Sequence, residues 1–173
     1  MSTKLEIEKK FLISPPKSWI QISKIFDNLI DVKRISQVYL NKKDGEEECA
    51  RIRKTIFGLK DDLDVRYDFN QKQFVENGVS KEKEVEISKD KYEELLKDKN
   101  KDQIILSKTR FLFNYKDQVF ELDLFKEPLN GLAILELELK KKDQQIFIPP
   151  FLKVIKNITN NPKFNNFNLA STV

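Results

Sequence analysis

The chain has no histidine, a single cysteine, one tryptophan and only four glycines in 173 residues. Each scarcity removes a class of chemistry. Without histidine there is no imidazole-ligated zinc, no Ser-His triad and no imidazole acid/base catalysis. The lone Cys49 rules out an internal disulfide framework and a thiolate metal cluster, and reads as a small, at least half-buried hydrophobe. Gly45, Gly58, Gly78 and Gly131 are too scattered to write a GxxxxGK(S/T) loop or a GxGxxG turn. Any phosphate must therefore be held by side chains. No apolar run approaches membrane-spanning length, and the opening MSTKLEIEKK lacks an apolar leader core. The expectation is a soluble, cytoplasmic protein with no membrane partner.

Charge is dense and nearly balanced, with 32 basic against 28 acidic residues and a net +4. That surplus is not the basic stripe of a dedicated nucleic-acid binder. Thirteen Phe, with many Ile, Leu and Val, are enough to build the core of a single domain over residues 1–173.

Segments 4–13, 33–41, 49–57, 64–74, 81–88, 104–115, 118–125 and 132–140 alternate or are rich in β-branched and aromatic residues, which predicts strands. Helical spacing appears at 16–30 (Trp19, Ile22, Ile25, Phe26, Leu29), at 89–98 and weakly at 149–157. Pro15-Pro16 marks the entry to the first helix, whose apolar face includes Trp19, and Ser88 is an N-cap candidate for the second. Turn chemistry at 41–45, 58–62, 76–78 and 115–117 separates neighbouring strands and favours antiparallel pairing. The Asn-rich end is either a packed or a frayed tail. The expected class is α+β, mainly β: a closed eight-stranded antiparallel barrel with helices outside.

Residues two apart on a strand share a face. By that rule Glu6, Glu8 and Lys10 share one face of the first strand, with Leu5 and Ile7 opposite. Arg51 pairs with Arg53, Glu82 with Glu84 and Glu86, Lys108 with Arg110, Glu121 with Asp123, and Glu136 with Glu138. Like charges side by side repel and add nothing to folding, whereas a solvated face usually mixes signs. Six such faces, each opposed by apolar residues, describe a barrel turned inside out. Its exterior is apolar and covered by helices, while its interior holds carboxylates suited to hard cations and Arg/Lys suited to phosphate oxygens. The runs at 46–48 and 140–142 read as solvated turn charges.

At these residues the chain resembles the CYTH-domain proteins, the triphosphate tunnel metalloenzymes. Glu6-Ile7-Glu8-Lys9-Lys10 is similar to their opening ExExK signature, and the likeness continues in order. It runs through Ala50-Arg51-Ile52-Arg53, Lys72, Glu82-Lys83-Glu84, Lys108-Thr109-Arg110, Leu122-Asp123-Leu124-Phe125 and Glu136-Leu137-Glu138 to the closing 147–170 segment. The resemblance implies a tunnel that admits a small-molecule triphosphate with Mg²⁺ or Mn²⁺. Carried over by position, Glu6, Glu8, Asp123, Glu136 and Glu138 hold metal, while Lys10, Arg51, Arg53, Lys72 and Arg110 grip phosphate. Glu82 and Glu84 orient the basic set, Lys108 orients or activates the attacking water, and Tyr39 contacts it. Lys72 sits in Asn70-Gln71-Lys72 instead of the usual Thr-x-Lys, and 58–80 is longer and more polar than the pattern.

The activity expected from this is hydrolysis of inorganic tripolyphosphate to pyrophosphate and phosphate. The alternatives are a nucleoside, RNA 5′- or thiamine triphosphatase, a class IV adenylyl cyclase, and a non-catalytic polyphosphate- or nucleotide-binding module. A lysine base would need a depressed pKa, which Arg110 and other nearby cations would supply.

Overall fold

A computed structural model of the chain describes residues 2–42, 49–58, 64–76 and 79–171, with Ser2, Thr3, Lys4, Cys49 and Phe74 described in their backbone only. The sequence expectations at 43–48, 59–63 and 77–78, including the 46–48 acidic run and parts of three turns, lie outside those residues.

Eight strands are built as the alternation predicts: β1 (Ser2–Ile13), β2 (Leu29–Tyr39), β3 (Cys49–Phe57), β4 (Val65–Glu76), β5 (Val79–Glu86), β6 (Leu106–Tyr115), β7 (Gln118–Phe125) and β8 (Ala133–Glu138). They pair in the order β5-β4-β3-β2-β6-β7-β8-β1, and β1 pairs again with β5. The sheet therefore closes on itself, every pairing is antiparallel, and no long edge is left among the eight. The β6–β7 hairpin turns through Lys116 (φ 49) and Asp117 (φ 56), the double positive φ that matches the twist of its strands.

The apolar faces point outward, as the alternation requires. Phe113, Phe120, Leu122, Leu135 and Leu137 form one outer cluster with Phe11 and Ile13, covered by α1 (Trp19–Phe26) and by Ile146, Ile148 and Phe151. Val38, Ile52, Tyr67 and Phe69 form another beneath Tyr92, Leu95 and Leu96 of α2 (Lys89–Leu96). Ser88 caps α2 by accepting from the Lys91 amide, as expected. Ser18 caps α1 in a reciprocal box with Gln21.

Three local expectations are corrected. The first helix does not run over 16–30; it ends at Phe26, and Leu29 already belongs to β2. Nor does Trp19 pack inward: it is 80% exposed, and Ile25 is the buried residue of the helix. The 149–157 segment is not a helix. Val154–Asn157 instead forms β9 along the edge of β1 at Phe11–Ile13.

The Asn-rich tail is packed. A 3₁₀ turn (Pro162–Phe164) and α3 (Asn166–Ala170) bring Ile158, Phe164 and Leu169 onto Leu12, Leu106, Phe125 and Ile134 at one end of the barrel. Replacing Asp117 with Gly removes the Cβ from a left-handed position. Asp117→Gly should raise unfolding stability by about 0.5–1 kcal/mol, read from the denaturant midpoint at constant slope. A lowered midpoint would show that the Asp side chain holds the turn.

Candidate functional site

The interior of the barrel is a cavity of about 260 Å³ whose walls are almost wholly ionisable. Strand alternation puts Glu6, Glu8 and Lys10 of β1, Arg51 and Arg53 of β3, Lys72 of β4, and Glu82 and Glu84 of β5 on its wall. Lys108 and Arg110 of β6, Glu121 of β7, and Glu136 and Glu138 of β8 join them.

Cross-strand register then fixes which groups meet. Arg110 stands opposite Asp123, Lys10 opposite Glu136, Lys72 opposite Glu82, and Arg53 opposite Asp68. Asp123 is fully buried and accepts from Arg110 Nε at 2.6 Å, from Arg110 Nη2 at 2.7 Å, and from Lys108 Nζ. Arg110 reaches on to Glu136 at 3.0 Å and to Glu121. Lys10 bridges Glu136 (3.2 Å) and Glu8 (3.3 Å), and Lys72 bridges Glu8 (3.2 Å) and Glu6 (3.3 Å). Arg51 donates to Glu82 at 2.7 Å, and Arg53 lies 3.4 Å from Glu84.

The proton affinities follow from this packing. Burial alone would raise Asp123 and Glu136, but Arg110 and Lys108 hold the first below the ordinary carboxylate range, and Lys10 and Arg110 hold the second far below it. Burial and a hydrogen bond with Glu82 push Glu6 up to about 7, while Glu82, anchored by that bond and by Arg51, drops to about 2. The two carboxyls thus share a proton. Burial lowers Lys108, helped by Arg110 and opposed by Asp123. The direction meets the requirement for a lysine base, with burial as the larger cause. Burial and Arg51 also lower Arg53. Arg51 Nε, Arg53 Nε and Asn70 Oδ1 are buried without hydrogen-bond partners. Two guanidinium N–H donors are therefore left unsatisfied in the arrangement of side chains.

All but two of the residues given a role by the resemblance line the tunnel, and Glu86, placed on the same face as Glu82 and Glu84, is exposed and does not. Asp123 lies behind its wall, both oxygens bonded to Lys108 and Arg110. Tyr39 lies at the end crossed by the tail, bonded to Gln37 and edge-on to Phe167 at 5.1 Å. It pairs with Arg51, whereas Lys108 pairs with Ile35 four residues away, so the structure does not bring Tyr39 to Lys108. Further residues at the site were not foreseen. Lys33 and Arg66 line the tunnel with Asp68, and Asn70 donates to Glu84 at 3.3 Å and to Glu82. Arg66 donates to Asp68 (2.6 Å) and Glu84 (2.7 Å). The period-two series Arg66, Asp68, Asn70, Lys72 was the available signal.

The donor set fits a hard divalent cation: it offers oxygen alone, and Glu8 stands directly opposite Glu138, a like-charge pairing that destabilises a bare sheet. Among the described residues no three carboxylates already converge as a ready-made metal cage.

A raised carboxyl binds its proton more tightly in the folded state, so its contribution to stability is lost as pH climbs from the ordinary 4.5 toward about 7. No imidazole titrates in that window. Metal-free protein should therefore melt at lower temperature at pH 7.5 than at pH 5. Glu6→Gln should make that fall shallower, leaving a remainder from Asp68 and Glu121, which burial also raises. An unchanged slope in Glu6→Gln would refute the shared proton.

No family model matches the chain, and no curated protein matches it. Solved structures do. The inorganic triphosphatase NE1496 superposes with a TM-score of 0.61 at 24% identity, covering 97% of this chain and 95% of that one. HpAC1 from Hippeastrum, an adenylyl cyclase candidate with a dominant triphosphatase activity, gives 0.56 at 16% identity over 79% and 80%. A chain of the Schizosaccharomyces pombe Mediator head module gives 0.54 at 9% identity over 82% and 86%. At these identities the likeness is one of fold: the chain has the closed tunnel barrel that these proteins share.

Proposed function

We propose that the tunnel hydrolyses the terminal anhydride bond of a triphosphate, inorganic tripolyphosphate being the simplest such substrate, in a divalent-metal-dependent reaction. The observation that supports it best is the pair of buried arginines, Arg51 and Arg53, which line a cavity ringed by carboxylates and each keep an Nε–H without a hydrogen-bond partner. A polyanion accompanied by a cation answers both sets at once, whereas either alone would leave one uncompensated. The inorganic triphosphatase activity of NE1496 and the triphosphatase activity of HpAC1, on the same fold, favour the same reading. The Mediator chain is the reminder that fold alone does not carry activity.

In this reading Arg51, Arg53 and Arg110 clamp phosphate oxygens, and Lys10 and Lys72 exchange their present carboxylate partners for phosphate. Glu6, Glu8, Glu136 and Glu138 would hold Mg²⁺ or Mn²⁺, which supplies Lewis-acid neutralisation of the phosphate charge. Asp123, already committed to Lys108 and Arg110, keeps those two cations aimed. Water attacks the terminal phosphorus as the bond to the bridging oxygen breaks, and the leaving diphosphate takes the electron pair. Lys108, whose proton affinity burial lowers, would accept the proton of the attacking water in its neutral amine form.

Purified protein should release phosphate from tripolyphosphate with Mg²⁺ or Mn²⁺ and not with chelator. Arg53→Ala should lower kcat/KM by about 10²- to 10³-fold, mainly through weaker substrate binding. Glu138→Ala should abolish the stimulation by metal. Equal rates with metal and with chelator would sink the enzyme reading, and an unaffected Glu138→Ala rate would sink the metal assignment.

A further inference from the structure

A second cavity, of about 460 Å³, lies where the C-terminal segment crosses the end of the barrel, and it shares Glu8, Lys10, Arg51 and Lys72 with the tunnel. Arg53, Arg66, Asp68 and Glu84 line the tunnel alone. Within this group the pairing that strand register favours is not the one made. Register sets Arg53 of β3 directly opposite Asp68 of β4, and oppositely charged residues so placed ordinarily pair. Instead Asp68 Oδ1 accepts from Arg66 Nε at 2.6 Å, and among the described residues no ion pair joins Asp68 to Arg53. Arg66 stands two residues before Asp68 on the same strand, and its Nη2 also donates to Glu84 Oε1 at 2.7 Å. The other oxygen of Glu84 is shared between Asn70 Nδ2 at 3.3 Å and Arg53 Nη1 at 3.4 Å. Arg53 is left with that one long contact, and its Nε has no hydrogen-bond partner. Arg51, by contrast, is held by Glu82 at 2.7 Å.

Two arginines thus compete for two carboxylates, and Arg66 holds both. Asp68 is 2% exposed, so its charge needs a cation. Arg66, whose side chain is 41% exposed, supplies that cation from the wetter side. Burial raises the proton affinity of Asp68, and Arg66 and Arg53 both lower it, so Arg53 lies within electrostatic reach of the same carboxylate. Without Arg66, Asp68 and Glu84 would turn to Arg53, which stands opposite the first and already touches the second. A guanidinium locked in a short, two-pronged carboxylate pair must give up that pair before it can take a phosphate. One held by a single long contact need not. We propose that Arg66 is a positioning residue: by holding Asp68 and Glu84 it stops the tunnel wall from neutralising Arg53, and so keeps Arg53 available to a phosphate oxygen. The inference rests on the tunnel reading above, in which Arg53 grips the substrate. Arg66 acts through Arg53 and does not itself touch phosphate.

KM and kcat for tripolyphosphate with Mg²⁺ are compared in the wild type, in Arg66→Met and in the double variant Arg66→Met/Asp68→Asn. Arg66→Met should raise KM about tenfold, the worth of one charge-assisted contact. Its kcat should stay within about twofold, the mark of lost binding in an enzyme that is still folded. The double variant, which neutralises the carboxylate opposite Arg53, should bring KM back to within about threefold of the wild type. An Arg66 that touched phosphate itself, or that only braced the strand, would leave the double variant no better than Arg66→Met, and that result overturns the proposal. An unchanged KM in Arg66→Met also overturns it, while the tunnel reading stands. Should Arg66→Met not fold, Arg66→Lys keeps the charge without the two-pronged donor, and is read against Arg66→Lys/Asp68→Asn by the same criterion. If the wild type binds tripolyphosphate without turning it over, Kd from calorimetry takes the place of KM in the same comparison. If it neither turns over nor binds tripolyphosphate, the tunnel reading and this inference fall together.

Discussion

Charge compensation inside a closed barrel is the constraint on which everything else depends. Among the described residues eight cationic and eight acidic side chains line the tunnel, so the wall is neutral in sum and strongly charged in detail. A charge withdrawn from water is tolerated only when paired and hydrogen-bonded, and removing one partner of a buried pair costs about 3–5 kcal/mol. The network meets that demand by chaining its pairs. Glu121, Arg110, Glu136, Lys10, Glu8, Lys72 and Glu6 follow one another around the wall, each cation shared between carboxylates. Such sharing holds the groups apart at fixed positions without using up every donor, and the unused N–H groups on Arg51 and Arg53 are where it stops short.

An interior of this kind cannot drive folding, so the apolar energy is moved outside. The outward faces of β1, β6, β7 and β8 gather Phe113, Phe120, Leu122, Leu135 and Leu137 under α1 and the 146–152 segment. Those of β2, β3 and β4 gather Val38, Ile52 and Phe69 under α2. The barrel end needs a third seal, because inward positions there are apolar (Leu12, Leu106, Phe125 and Ile134), and Ile158, Phe164 and Leu169 of the tail supply it. The segment that seals one part of the end also walls the second cavity.

Much of this was legible in the sequence because strand alternation projects a linear pattern onto two faces. Six like-signed pairs with apolar residues between them located most of the tunnel wall and predicted closure. The same criterion was blind to β4. Arg66, Asp68 and Asn70 alternate in sign and polarity along one face, as an ordinary solvated strand would, and Lys72 was named only through the family resemblance. Lys33 was equally hidden, because its neighbours on that face are Ile35 and Gln37. Helical spacing overreached at Trp19 and at 149–157. Apolar periodicity marks a face that can be buried, while β1's open edge at Phe11–Ile13 and the angle at which α1 docks decide what is. The second cavity was out of reach altogether, because it forms between residues about eighty positions apart, Ser80 and the tail.

In the proposed reaction phosphates are held by arginines and lysines released from carboxylates. The most direct test is the melting temperature of the protein in Mg²⁺ as tripolyphosphate is titrated in, with orthophosphate at matched ionic strength as the control. A ligand that binds only the folded state raises stability with the logarithm of its concentration. The account predicts a steady rise with tripolyphosphate and little change with orthophosphate. No rise, or the same rise with both, would contradict it.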